Sequence, residues 1–492
     1  MAGRAMRQTG MESGSGRAAD WAERLFKLRE WHTNIGTELL AGLTTFMVMA
    51  YIIFVNPTIL TTTQPDQHLR SGITTATCLV AGLLCLFMGL YTNRALALAP
   101  GLGINAIVAF QLVGAQKLTY QEAMGVIVAQ GVVITILVVT GLRKQVMDAI
   151  PVELKRAISV GIGFFILFIG LVQAGIVVVG QGTPLTMGKL VGWPLATAII
   201  GLLLTAGLLA RNVRGALLWG IIVATIIAVI ANAANGGTLW LVDGKDNGIA
   251  KLPSQWIAAP DFSTVGHISF GFFSKLGFLT AILVILSLFL SDFFDMVGTL
   301  IGVGGMAGYL DEKGEFPDVQ KPLLVDSLAA VAGGLAGSSS ATTYIESAAG
   351  VGIGGRTGLT AVTTGILFLL AMPFWPIIGI VPAQATAPAL ILVGFLMSGV
   401  LAPRTVVGEG GVERAAGGID FNNLVMGLPA LVTILLIPLT YSITNGIGAG
   451  FLLYTFLRLV RGEWRKIHPA LYVVAIVFLV YFVREPFLGI HV

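Results

Sequence analysis

The chain has 492 residues, of which 55% are hydrophobic and only 11% are charged, and its mean hydropathy is +0.88. A soluble domain carries about 25% charged residues, so this composition excludes a soluble protein and predicts an all-α polytopic membrane protein. The net charge of +4 comes from basic residues near the ends of apolar runs, so no nucleic-acid partner is expected.

Residues 1–37 are polar and charged and lack the apolar core of a cleaved signal peptide, so they are predicted to form a cytoplasmic segment. Apolar runs of about 20 residues, the length that crosses a bilayer as a helix, then recur along the chain. We expect a multi-pass protein of the cell (inner or plasma) membrane. Full spans are predicted at 38–59, 71–92, 122–141, 152–178, 193–210, 213–232, 279–303, 323–337, 358–379, 384–402, 422–441 and 443–460.

The third predicted span, residues 95–110, is apolar but interrupted by small residues. Pro100 suits a helix start, and Gly101 and Gly103 would let a ligand approach the backbone. We expect a short extended stretch followed by a half-helix with free N–H groups near the bilayer midplane. Gly101, Gly103 and Asn105 are therefore predicted to bind substrate, although tight helix packing would also explain them.

Two carboxylates, Asp292 and Asp295, lie inside the apolar run 281–303 and share one helix face with Thr299. A charged side chain at the bilayer centre costs roughly 2.5–3.5 kcal/mol on insertion scales, which indicates a functional role. Two acids this close should titrate as a coupled pair, as in a proton carrier. The open alternative is a structural pair that is hydrogen-bonded to neighbouring spans.

A second interrupted span, residues 338–355, is rich in Ser, Thr and Gly. Thr343, Tyr344 and Ile345 lead to Glu346, which is predicted at the start of a short helix, where the helix dipole favours its anionic form. The two extended stretches are expected to pair as short antiparallel strands, which would satisfy their backbone groups. Alternatively, Glu346 is only a helix N-terminal charge at the membrane edge.

The two interrupted spans bring the count to fourteen transmembrane segments. With both counted as spans, 22 of the 29 Lys and Arg residues lie on the cytoplasmic side and 6 on the other, with Arg484 unassigned. Treating either segment as a loop would remove this bias. Seven spans per half is an odd number, so the halves must be inverted repeats, and paired interrupted segments predict a midplane binding site.

These spans divide the chain into five predicted segments. It comprises the cytoplasmic segment 1–37, a first seven-span repeat 38–233, an extracytoplasmic amphipathic connection 234–277, a second repeat 278–461, and a C-terminal segment 462–492. The last segment contains an extra apolar helix, which is either a further span or interfacial.

There is no Gly-rich phosphate loop, no metal-ligand spacing and no Ser-His-Asp arrangement, so we expect neither an enzyme, a cofactor nor a metal.

Six strings resemble the AzgA-like purine nucleobase permeases, a branch of the nucleobase–ascorbate transporter superfamily. They are TTFMVMAYIIFVNPTIL (44–60), ALAPGLGINA (97–106), FFDMVGTLIGV (293–303), VDSLAAVAGGLAGSSSATTYIESAAG (325–350), GGRTGLTAV (354–362) and ATAPALILVG (385–394). The resemblance implies a fourteen-span inverted-repeat fold with core and gate domains and elevator-type transport. It also implies import of hypoxanthine, guanine or adenine with protons, and a homodimer.

Carried over by motif, Asp292 and Glu346 resemble the substrate-binding acids of this family, Asp295 the neighbouring acid, and Asn105 the asparagine of the third span. Thr343, Tyr344 and Ile345 would line the same site, and the three acids would couple transport to protons. Two alternatives stay open on the same fold, a uracil or xanthine carrier and a sulfate-type anion carrier. The acids argue against the anion carrier, which needs positive helix ends or Arg at its site.

Overall fold

The computed structural model describes residues 15–64, 66–141, 150–180, 182–241, 248–310, 316–401, 404–407, 413–416 and 418–488. Most of these residues are helical, as predicted. Several basic residues used in the charge count lie outside the described residues, namely Arg4, Arg7, Arg143, Lys144, Lys245 and Lys313.

The first half of the chain consists of helices, one short strand at residues 98–100 and a small two-stranded hairpin at residues 177–187. The elements are α1 (Ser15–Phe26), α2 (Ile35–Met49), α3 (Ile52–Leu60), α4 (Gln67–Thr92), β1 (Leu98–Pro100), α5 (Leu102–Ala106), a π-helix (Ile107–Ala115), α6 (Tyr120–Val139), α7 (Val152–Gln173), β2 (Val177–Val178), β3 (Thr186–Met187), α8 (Trp193–Ala210) and α9 (Ala216–Ala234).

The second half has a similar series, with short 3-10 turns at residues 372–374, 399–401 and 464–466. The elements are α10 (Phe272–Leu276), α11 (Phe278–Ala307), α12 (Gln320–Ala336), β4 (Ala341–Thr343), α13 (Ser347–Gly352), α14 (Gly358–Ala371), α15 (Trp375–Gly379), α16 (Ala383–Ser398), β5 (Arg404–Val407), β6 (Glu413–Ala416), α17 (Leu424–Leu439), α18 (Ile443–Val460) and α19 (Pro469–Leu488).

Within the described ranges, eight helical stretches are long and apolar enough to cross a membrane. Shorter apolar helices occur between them, including Leu102–Ala115, Phe278–Phe293 and Ala383–Ser398. The prediction of a helical polytopic membrane protein is therefore confirmed. The eight stretches are Ile35–Leu60, Gln67–Thr92, Tyr120–Val139, Val152–Gln173, Trp193–Ala210, Ala216–Ala234, Gly358–Gly379 and Ile443–Val460.

The first predicted span is divided in the structure, because α2 ends at Met49 and α3 begins at Ile52. At the other end of the chain, the apolar segment 470–482 forms the central part of α19. This helix packs on α18, where the rings of Phe451 and Phe478 meet edge to face with centroids 6.3 Å apart. Burial of such aromatic surface accounts for the position of α19 against α18.

The described spans pack as two bundles. In the first bundle, α2 and α4 both pack on α14, and α6 packs on α12. In the second bundle, α7 packs on α16 and α17, α8 on α9, and α17 on α18. Glycines allow the closest approaches: a Cβ at Gly89 would lie 2.4 Å from the Gly358 carbonyl oxygen, and a Cβ at Gly394 would lie 2.3 Å from that of Gly163.

Strands β1 and β4 join the two halves. They are antiparallel, with Leu98 opposite Thr343, Ala99 opposite Thr342, and Pro100 opposite Ala341. Each strand leads into a short helix, α5 after β1 and α13 after β4. The predicted pairing of the two extended stretches is therefore confirmed, and it places the starts of both short helices beside each other.

Candidate substrate site

The site is built around the β1–β4 pair, whose backbone polar groups are satisfied between the two halves of the chain. The Gly101 N–H donates to the Ser340 carbonyl at 2.8 Å, and the Tyr344 N–H donates to the Ala97 carbonyl at 2.9 Å. The Tyr344 hydroxyl also donates to the Pro100 carbonyl. Non-helical backbone survives at membrane depth only when protein satisfies it, and these bonds do so.

The buried carboxylate of Asp326, on α12, holds β4 in place. Its Oδ1 accepts hydrogen bonds from the Thr343 N–H and the Thr343 hydroxyl, both at 2.6 Å. The Thr342 hydroxyl donates to the same carboxylate at 3.3 Å. Asp326 is only 3% exposed. A carboxylate that accepts several short hydrogen bonds makes strong, directional contacts, so Asp326 determines the path of the strand that leads to Glu346.

Asp292, one of the two predicted acids of α11, is buried behind the same segment. Its Oδ2 accepts hydrogen bonds from the Gln130 side chain at 2.7 Å and from the Ser340 hydroxyl at 2.6 Å. Its Oδ1 is buried and has no hydrogen-bond partner among the described residues. Asp292 therefore links α6 to the residue that precedes β4. Its Oδ1 can still accept a hydrogen bond.

Glu346 lies at the start of α13, as predicted, and it is partly exposed. Its Oε1 accepts a hydrogen bond from the Tyr51 hydroxyl at 2.7 Å. Asp295, also partly exposed, lies within electrostatic range of Glu346 and of Asp292. Beside Glu346, the Ile345 side chain is 52% exposed. The accessible side of the site thus presents two carboxylates and one aliphatic side chain.

The predicted residues of the third span lie on the closed side of the site. Asn105 is fully buried, and neither its Oδ1 nor its Nδ2 has a hydrogen-bond partner in the described part of the chain. Gly101 caps the start of α5, and a Cβ at Gly103 would lie 2.6 Å from Cγ2 of Ile162 on α7. Gly103 therefore allows close packing of α5 on α7. Tight helix packing, the alternative to substrate binding in the sequence analysis, thus explains this glycine.

The ionisable side chains at the centre of the site are acidic. Asp292, Asp295, Asp326 and Glu346 lie close together, and none of them forms an ion pair with a Lys, Arg or His among the residues that the structure describes. Carboxylates without cations can accept N–H donors of a neutral ligand and can bind protons. The described residues contain no cluster of His, Cys, Asp and Glu that could hold a metal.

Of the nine predicted site residues, Gly101 and residues 343–346 lie at the β1–β4 pair, and Asp292 and Asp295 lie near them on α11. Gly103 and Asn105 lie in α5, which follows β1. Glu346, Asp295 and Ile345 are on the accessible side. Sequence reasoning missed Asp326 and Tyr51. An isolated acid inside the apolar stretch 323–337 was a signal for Asp326, by the same argument that identified Asp292. Tyr51 lies in the quoted string 44–60, but no local pattern connected it with Glu346, which is 295 residues away.

Comparison with known proteins adds independent information. The model of a family described as "Permease family" matches residues 36–404. The adenine permease AdeP of Escherichia coli K12 is 38% identical over 458 residues, which cover 93% of this chain and 95% of AdeP. The guanine/hypoxanthine permease PbuO of Bacillus subtilis is 38% identical over 463 residues, covering 93% of this chain and 99% of PbuO.

Among solved structures, the transmembrane domain of the cyanobacterial bicarbonate transporter BicA resembles the chain with a TM-score of 0.57. The similarity covers 82% of this chain and 96% of that domain at 16% sequence identity. At this identity the likeness concerns the fold alone, because one fold carries many functions.

Proposed function

Because the chain belongs to the permease family, within which its relatives include adenine and guanine/hypoxanthine permeases, we propose that it imports purine nucleobases by proton symport. Membership of this family also makes the chain a transporter rather than an enzyme, and a multi-pass protein of the plasma membrane, as predicted. The observation that carries the proposal is the partly exposed Glu346, which lies beside Asp295 at the junction of the two broken spans.

Purine chemistry suits this site. Guanine offers two adjacent N–H groups on one edge and hypoxanthine offers one, and a carboxylate accepts such donors with charge-assisted strength. In our proposal Glu346 accepts from the purine edge, while Ile345 contributes apolar contact to the ring. Tyr344 and Thr343 keep Glu346 in position through their bonds to Pro100 and Asp326. Asn105, Gly101 and Gly103 complete the site from the third span.

The same acids supply the proposed proton coupling. Asp292, Asp295 and Glu346 interact electrostatically in a partly desolvated setting, so protons bound at one acid change the affinity at the others. Asp292 retains an unpartnered Oδ1 that a proton or a ligand N–H can use.

We expect cells that lack their own purine transporters to accumulate radiolabelled hypoxanthine, guanine or adenine when they express this chain. Uptake should increase as the external pH falls and should collapse with a protonophore, because protonation of the acids accompanies substrate entry. Uracil, xanthine and sulfate serve as competitors. Uptake that follows a sodium gradient and ignores the protonophore would contradict proton symport, and sulfate as the preferred cargo would contradict the substrate class.

We propose that the chain spans the membrane fourteen times as two inverted repeats, residues 38–233 and 278–461. Support comes from the order of elements, since each half has two spans, a strand followed by a short helix, and four further spans. The first bundle would be the core domain that carries the site, and the second the gate domain. The segments 1–37, 234–277 and 462–492 would be peripheral, and the homodimer implied by the resemblance stays a prediction.

We propose elevator-type alternating access, in which the core moves against the gate. With a cytoplasmic N-terminus, several contacts between the two bundles lie on the extracytoplasmic side. The buried guanidinium of Arg70, on α4, donates from Nη2 to the Val381 carbonyl at 2.6 Å, just before α16 begins. Gln111 donates to the Thr444 hydroxyl at 3.1 Å. These contacts support a conformation that is closed on the outside.

Arg70→Gln is expected to increase the fraction of molecules that open to the outside, because it removes a charge-assisted bond between the bundles. The readout is a cysteine introduced at Ile345 in a background without Cys78 and Cys85, labelled from outside with an impermeant thiol reagent. Labelling should be several-fold faster in the variant. Lys275→Gln is the control, because Lys275 pairs with Glu122 at 2.7 Å within the outer face of one bundle. Equal labelling rates in both variants would contradict this role of Arg70.

A further inference from the structure

Tyr51 lies at the break between α2 and α3 and reaches across the first bundle to the site. Helix α2 ends at Met49, and α3 begins at Ile52, so Tyr51 precedes the first residue of α3. Its side chain is only 1% exposed, and its hydroxyl donates to Oε1 of Glu346 at 2.7 Å. This contact joins the α2–α3 break to the start of the short helix α13, and the proposed function above does not use it.

The surroundings of the Tyr51 hydroxyl determine what this bond can do. Tyr344 and Asp295 lie within electrostatic range of the same phenol, together with Glu346. A phenol has one hydrogen to donate, and here it points to Oε1 of Glu346. No basic side chain pairs with Glu346 in the part of the chain that the structure describes. The Tyr51 hydroxyl is therefore the side-chain group that fixes how this carboxylate is oriented.

Because the Glu346 carboxylate is held in one orientation through Oε1, its affinity for guanine and its affinity for hypoxanthine are expected to differ. Guanine presents two adjacent N–H groups, which are best accepted by the two oxygens of a free carboxylate. Hypoxanthine presents one N–H on the same edge, which one oxygen accepts. The phenol already takes one lone pair of Oε1. Oε2 is therefore the freer acceptor, and the second N–H of guanine would have to share Oε1 with the Tyr51 hydroxyl.

We propose that Tyr51 is a specificity-determining residue, which holds Glu346 through Oε1 and thereby favours hypoxanthine over guanine. This inference rests on the proposed function, because it assumes that Glu346 accepts the purine edge. The residue would act through Glu346 and need not touch the base. A specificity role differs from a packing role, since a packing role would affect every purine alike.

The test is calorimetric binding of hypoxanthine and of guanine to the purified full-length Tyr51→Phe protein. The variant keeps the ring and loses only the hydroxyl. A hydrogen bond to a charged group contributes enough to change affinity by about tenfold, so we expect the Kd for hypoxanthine to rise by about that factor. The Kd for guanine should rise by less than about threefold, because its second N–H no longer shares Oε1 of Glu346 with the phenol.

The matched control is Tyr309→Phe. Tyr309 is also buried, and its hydroxyl donates to a backbone carbonyl, that of Arg356, at 2.7 Å. This control should leave the ratio of the two Kd values unchanged. If the Tyr51→Phe protein does not fold, 3-fluorotyrosine at position 51 keeps the ring and hydroxyl and donates more strongly, so the preference for hypoxanthine should increase.

The outcomes separate this inference from the function on which it rests. A changed ratio of the two Kd values in the Tyr51 variant alone supports it. If the unaltered protein binds purines and the ratio stays the same in the Tyr51 variants, the specificity role is wrong and the proposed function stands. If the unaltered protein binds neither base, both the proposed function and this inference are wrong.

Discussion

Glu346→Gln is expected to abolish purine uptake while the protein still reaches the membrane. The amide keeps the size of the side chain but replaces one acceptor oxygen with an N–H₂ group, which faces the N–H donors of the purine edge. It also removes the charge that strengthens the bond from Tyr51. Truncating one partner of a desolvated, charge-assisted contact costs about 2–5 kcal/mol, so we expect purine affinity to fall roughly 30-fold or more.

Affinity is best measured by calorimetry on purified protein, so that binding is separated from transport. Glu122→Gln is the control, because Glu122 is another glutamate at a helix start, but it caps α6 and pairs with Lys275 at 2.7 Å, away from the site. This control should retain purine affinity. If the Glu346→Gln protein binds purines as tightly as the unaltered chain, Glu346 is not the residue that holds the substrate.

Asp326→Ala is expected to destabilise the protein and to abolish uptake, even though we do not expect Asp326 to touch the substrate. The substitution leaves the buried Thr343 N–H and the hydroxyls of Thr342 and Thr343 without their acceptor. Each buried, unsatisfied donor costs about 1–3 kcal/mol, so we expect the free energy of unfolding to fall by roughly 3 kcal/mol or more. Strand β4 would lose the contact that leads Glu346 into the site.

Thermal unfolding in detergent, followed by tryptophan fluorescence, measures the loss of stability, and radiolabelled uptake measures the loss of function. Asp326→Asn keeps one acceptor oxygen for Thr343 and should lie between the alanine variant and the unaltered chain. Asp420→Asn is the surface control, because Asp420 is exposed and accepts a local hydrogen bond from the Asn422 N–H at 3.0 Å. An Asp326→Ala protein with unchanged unfolding temperature and uptake would refute the anchoring role.

The interrupted spans illustrate how far local signals reach. Pro100 with Gly101 and Gly103, and the Ser/Thr-rich stretch before Glu346, predict a strand followed by a short helix from local chemistry alone. The pairing of the two strands followed from the need to satisfy backbone groups at membrane depth. These features were predictable because a bilayer leaves few ways to satisfy an irregular backbone.

The acids of α11 have different environments that local residue patterns do not predict. Asp292 and Asp295 share one helix face and have the same chemistry, so residue spacing does not separate them, and only the family resemblance assigned them different roles. In the structure Asp292 is 2% exposed and bonded to Gln130 and Ser340, whereas Asp295 is partly exposed. Their difference arises from neighbours on α6 and at β4, which are far away along the chain.

The sequence by itself determined the class of this protein, its interrupted spans and three candidate acids, Asp292, Asp295 and Glu346, because hydropathy and the cost of a buried charge act locally. Only the tertiary structure decided which groups surround those acids. Asp326 holds β4 and Tyr51 holds Glu346 through side chains that meet when distant helices pack. Such contacts depend on the relative position of whole helices, which no local pattern of residues encodes.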